Sequence, residues 1–220
     1  MKPSLVSNLF SLGAGLIARR DYVRLAAQPV LARRAGPFFR NHAMTQPQAF
    51  NPAQIRSVNA AVAMAEELVS DFYKMSATEW LRPKYDIKTL KDLTAAEIVH
   101  GPFAQIIRYE GQLSENTLGS TVYDFYQICL QDHAILSALA ETKHLELFPF
   151  MLYIVTHELI HIVRFSRFLQ RFDASAAEKM HEEERVHHFT HDILKAVTVS
   201  GLPVVLDFYR HWRKPLEGLA

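Results

Sequence analysis

The sequence predicts an α+β fold, mainly helical, with a small β-hairpin beside a central helix that carries His157-Glu158-x-x-His161. Three observations lead there. Capped, amphipathic stretches with helical spacing fill most of residues 51–200. Residues 121–131 alternate with the two-residue period of a strand, and 103–110 is a β-like run before them. The flanks of the H-E-x-x-H are apolar on nearly every side, which suits a helix at the centre of a fold.

The elements follow in chain order. Asn51 as cap and Pro52 at the first helical position open a helix expected to run to about Lys74. Its apolar face is Val58, Ala61, Val62, Ala65, Leu68, Val69 and Phe72. Ser76-x-x-Glu79 is a capping-box pattern for a short helix ended by Pro83, and Thr94-x-x-Glu97 predicts another, stopped near Gly101-Pro102. Residues 103–110 and 121–131 then pair through the polar loop 111–120. Val122, Tyr126, Ile128 and Leu130 share one face of the second strand, and Tyr123, Phe125 and Cys129 the other. A helical reading of 121–143 is the alternative, because Tyr and Phe also suit buried helices. Asp132 is expected to cap a helix ending near Lys143. The motif helix is placed in 145–172, with Pro149 in its first turn. Ser175-x-x-Glu178 opens the next helix, expected to reach about Ser200, where Gly201 and Pro203 stop it. The aromatic, basic stretch after it should pack back on the domain as a strand or short helix.

Composition bounds the function. A chain of 220 residues, 49% hydrophobic, can bury a full core. Its net charge of +1 argues against nucleic acid as a partner. Cys129 is the one cysteine, which excludes an internal disulfide and cysteine-rich zinc sites. Charge is unevenly placed: residues 1–50 hold seven Lys or Arg against one acid, and the other 170 hold 17 basic and 22 acidic side chains. Residues 1–50 therefore read as a basic, disordered or targeting segment able to touch an anionic membrane surface, and 51–220 as a single metal-binding domain. The apolar run from Leu5 to Ile17 is followed by Arg19 and Arg20 instead of a small-residue cleavage site, so no clear cleavable signal peptide is expected. Met44 is an alternative start. The expected location is the cytoplasm or the periphery of a membrane.

The chemistry centres on the motif. Residues four apart lie on one side of a helix, so His157 and His161 can direct two imidazoles at one zinc ion. Glu158 lies about 100° round the helix, where its carboxylate could reach a water on that metal. A catalytic zinc takes a third protein ligand, and 181–188 (HEEERVHH) is the source. Glu183 falls within the arc of Val186, Thr190, Ile193 and Leu194, which makes it the expected third ligand. Glu184 is the next choice. His187 could bind the metal itself or steady another ligand. Glu182, Arg185, His188 and His191 read as a solvated charged face.

H-E-x-x-H followed by a glutamate on the next helix resembles the gluzincin group of zincin metallopeptidases. The resemblance covers about residues 103–200. It implies zinc held by His157, His161 and Glu183, Glu158 as the general base, a peptide or small amide as substrate, and a small sheet whose edge strand holds an extended peptide. That group also uses a Tyr or His to steady the oxyanion, for which Tyr153, His191, Tyr209 and His211 are the candidates. Members often carry Glu-x-x-x-Asp on the second helix; here it is Glu183-x-x-x-His187.

A second parse uses different pairs. Glu158-x-x-His161, Glu184-x-x-His187 and Glu141-x-x-His144 are all E-x-x-H, the pattern of di-iron and di-manganese carboxylate bundles, with Glu67 and Glu110 as further ligands. That oxidoreductase reading needs 103–131 to be helical. A third reading is a non-catalytic, metal-stabilised binding domain.

Overall fold

The computed structural model describes residues 47–76, 79, 84–112, 122–171 and 173–213. The basic N-terminal segment, most of the Ser76–Pro83 stretch and the hairpin loop lie outside the described residues.

Helix α1 (Pro52–Tyr73) begins where Asn51 accepts from the backbone N–H groups of Ala53 and Gln54, while the Gln54 side chain accepts from the Asn51 N–H. Lys74 ends it in a left-handed conformation. Val58, Ala61, Ala65 and Val69 form its buried stripe. The two alanines let the backbone of α1 lie close along the central helix. Phe72, expected on that stripe, sits at its rim and is exposed.

The sheet has three strands, in the order β1-β3-β2: β1 (Lys84–Lys88), β2 (Ala104–Gln112) and β3 (Val122–Leu130). The expected hairpin is the antiparallel β2–β3 pair, in a register that sets Ile106 against Ile128 and Ala104 against Leu130. Strand β3 over Val122–Leu130 overturns the all-helical reading of 121–143, and with it a condition of the di-metal parse. Strand β1 was not expected. It pairs parallel to β3, Ile87 against Ile128. Five residues with a lysine at each end carry too little alternation to announce a strand, and its partner lies some forty residues away.

One sheet face, with Ile106, Tyr126, Ile128 and Leu130, belongs to the main core. The other is covered by 94–100. The Thr94–Glu97 capping pattern produces a single turn there and no helix. Glu97 accepts from the Thr94 backbone N–H and from Gln127, while Gln105 and Gln131 donate to the Glu97 carbonyl. Bonds to the sheet take the place of helix propagation.

Helix α2 (Asp132–Glu141) starts one residue earlier than a capping Asp132 would require. The Asp132 carboxylate is fully buried and accepts instead from the backbone N–H groups of Phe50 and Leu90, tying the α1 entry and the Leu90–Asp92 turn to the end of β3.

Helix α3 (Leu147–Ser166) carries the motif. It is the centre of the fold, and every residue from Pro149 to Arg164 except Glu158 is buried. It is long and apolar enough to cross a membrane by length and composition, but 83% of that window is buried by the surrounding elements. Phe150 meets Phe103 and Phe208 edge-on, and Phe165 stacks on Tyr126.

Helix α4 (Ala176–Leu194) opens on the Ser175–Glu178 capping box and runs antiparallel to α3. It ends at Leu194, short of the expected Ser200. Gly201, at φ +76°, caps the start of α5 (Leu202–Phe208) and does not close α4. A Cβ there would lie 3.2 Å from Pro149 Cγ, so glycine also permits close approach to the start of α3. The aromatic tail is therefore helical, continuing into a 3₁₀ turn over Arg210–Arg213.

Candidate metal centre

The two motif histidines project from the middle of α3 towards α4, as their i, i+4 spacing requires. His161 Nε2 lies 3.1 Å from His157 Nε2. The Glu183 carboxylate faces both, with Oε2 3.3 Å from His157 Nε2 and Oε1 3.3 Å from His161 Nε2. Zinc bonds to nitrogen and oxygen of about 2.0–2.1 Å set ligand atoms about 3.3 Å apart in a tetrahedron. The three separations are close to those edges, with the two histidines facing different oxygens of the carboxylate, and without a metal the same contacts serve as hydrogen bonds. The donor set suits zinc: two imidazoles and a carboxylate.

The charges agree with this geometry. Burial alone would depress the His161 imidazolium, but Glu183 against it raises the ring to about 9. The Glu183 carboxyl is held well below its ordinary range: burial opposes this, and the two histidines outweigh it. A divalent cation held there would compete with the His161 proton.

Outer contacts orient the ligands. Gln170, on the connection between α3 and α4, accepts at Oε1 from His161 Nδ1 at 3.0 Å. A carboxamide oxygen can only accept, so the bond places a proton on Nδ1 and directs Nε2 at the cluster. No sequence pattern singled out Gln170, because only the turn after α3 brings it back nine residues. His157 Nδ1 is buried without a hydrogen-bond partner among the described residues.

The remaining expected residues separate clearly. Glu158 is the one partly exposed residue between Pro149 and Arg164. Burial raises its carboxyl above the ordinary range, opposed by His157 and His161 beside it. Tyr209, buried and stacked on Tyr153 at 3.9 Å between centroids, is close enough to Glu158 for that carboxylate to help burial raise its phenol well above the usual value. It therefore stays a neutral O–H donor. Tyr153 bonds to His187 Nδ1 at 2.9 Å. His211 is exposed, though near enough to His187 to act on its charge, and His191 lies 3.8 Å from its neighbour Asp192 on α4.

His187, on the same face of α4 as Glu183, is buried. Burial, with His157 nearby, holds it well below the imidazole range and keeps it neutral. His157, Glu183 and His187 each offer one ligand atom within 4.8 Å of the others. That grouping shares two members with the tighter one through His161. The shorter edges favour His157, His161 and Glu183 as the inner set.

Glu184 lies 3.8 Å from His181, one turn back on α4. Two expectations are corrected. Glu182 is no solvated flank: it is buried and paired with the equally buried Arg164 of α3 and with Arg185. Of the di-metal ligands, Glu67, Glu141 and His144 are exposed, and Glu110 lies on strand β2. The first three project into solvent because they sit on the outer faces of α1 and α2 or just beyond an end.

No protein family, curated protein or solved structure matches the chain.

Proposed function

We propose that this chain is a zinc-dependent hydrolase, peptidase-like in chemistry, and a minimal relative of the gluzincins. The observation that carries the reading is the meeting of His157 Nε2, His161 Nε2 and the Glu183 carboxylate at separations of 3.1–3.3 Å, with Glu158 beside the two histidines on α3. Zinc, when bound, supplies Lewis acidity that polarises a carbonyl and brings the pKa of water towards neutrality. His157, His161 and Glu183 hold it, and Gln170 keeps His161 in the ligating tautomer. Glu158 takes the proton from the attacking water and returns it to the leaving amine, a role favoured by its raised affinity for a proton. Tyr209, buried and near Glu158, is the candidate donor to a developing oxyanion. Peptides or small amides as substrates, and membrane contact through the basic segment, rest on the resemblance and the charge pattern.

The test combines metal content and turnover. Elemental mass spectrometry of the purified full chain is expected to give one zinc, lost in His161→Ala. Glu158→Gln should keep the zinc and lose peptide hydrolysis by more than about 100-fold, the low end of what a general base contributes. Two iron or manganese ions per chain would move the assignment to a redox centre. Zinc retained with no hydrolysis of a peptide library by wild type would leave a metal-stabilised binding domain.

A further inference from the structure

We propose that the centre is closed in the resting protein by His187 as a fourth protein ligand, so that the zinc site described above is latent. The inference rests on that zinc reading.

Two helices present two i, i+4 pairs to each other. Helix α3 offers His157 and His161; α4, antiparallel to it, offers Glu183 and His187. The His187 ring lies against His157, with centroids 4.3 Å apart. Its ligand atom falls within 4.8 Å of those of His157 and Glu183, and a closing movement would bring it to a tetrahedral edge. His161 stands outside that group but lies 3.1 Å from His157 and 3.3 Å from Glu183, so His187 would join His157 and Glu183 on the side that the two of them share.

The surroundings of His187 are those of a ligand. Its Nδ1 is engaged by the Tyr153 hydroxyl at 2.9 Å, which leaves Nε2 as the ring's second donor atom. As a ligand, His187 carries its proton on Nδ1 and donates it to the Tyr153 oxygen, the arrangement that fixes the tautomer of metal-bound histidines. Trp212 stacks on the ring at 4.9 Å and 20°, and Tyr209 packs beside it at 5.5 Å. Four protein ligands make a closed centre, whereas three leave a position for water. Glu158 then has a water to deprotonate only after His187 has left.

The probe is cobalt alone, added at one equivalent to the full chain, followed by visible absorption and then titrated with azide. Wild type is expected to give the intense bands of a tetrahedral centre, unmoved by azide. His187→Gln should shift those bands and make them respond to azide. It should also weaken zinc binding, by chelator competition, beyond the about 10–100-fold that loss of an outer hydrogen-bond partner costs. Tyr153→Phe, which keeps the ring stack, should fall within that smaller range. A wild-type spectrum that already responds to azide overturns the proposal, and this measurement stands even if the His187 variant does not fold. An unchanged spectrum in His187→Gln overturns it as well. Failure of wild type to take up stoichiometric cobalt or zinc would instead overturn the zinc reading itself.

Discussion

At the scale of single residues, the centre depends on which nitrogen each imidazole presents. Gln170 decides this for His161 through one hydrogen bond of 3.0 Å. Gln170→Leu should therefore weaken zinc binding by about 10–100-fold without removing a ligand, measured by competition with a chromophoric chelator. Gln170→Glu, which still accepts from Nδ1, should recover most of the loss. Glu97 is a second informative residue. Burial works against its charge, but the Thr94 N–H and the Gln127 amide bring its carboxyl below the ordinary 4.5. A carboxyl lowered by folding contributes stability above its unfolded pKa and loses it as pH falls through the folded value. Denaturant titrations should show Glu97→Gln less stable than wild type by about 1–3 kcal/mol at neutral pH, with the gap narrowing below about pH 4.5.

At the scale of elements, the register between α3 and α4 places Glu183 opposite the histidines. One turn further along α3, the buried Arg164–Glu182 pair clamps the same two helices, with Arg164 also over the Phe189 ring. The two carboxylates 182 and 183 thus divide their work, one aligning helices and the other facing the cluster. Glu182→Leu leaves a buried guanidinium without its partner and should cost about 3–5 kcal/mol in urea unfolding. Arg164→Met combined with Glu182→Leu should recover much of this, because an apolar pair requires no compensating charge. If the clamp sets the register, zinc affinity should fall in the single variant and return in the double.

At the scale of the whole molecule, the cluster ties together the two consecutive helices α3 and α4. A metal bound by the folded state alone adds stability by mass action, about 2.7 kcal/mol when its free concentration is 100 times Kd. Addition of a chelator should therefore lower the unfolding temperature of wild type, and excess zinc should restore it. His161→Ala should unfold at one temperature with or without chelator. An unresponsive wild type would mean that the fold stands independently of the cluster.

Much of this architecture is local in origin and so was legible in the chain. Asn51-Pro52, the Ser175–Glu178 box, the alternation of 122–130 and the apolar ring around His157 each state their element within a few residues. The H-E-x-x-H spacing alone brings two imidazoles to one side of a buried helix, and the angle of Glu183 on its own helix selected it ahead of Glu184. What only the tertiary structure decided is everything that depends on which distant segments meet. The parallel pairing of β1, the turn at Thr94–Glu97 in place of a helix, the burial of Glu182 against Arg164, and the contacts of Gln170 and Tyr153 with His161 and His187 all belong here. Periodicity tells a residue which way it faces, but its partner is set by the packing of elements remote in sequence.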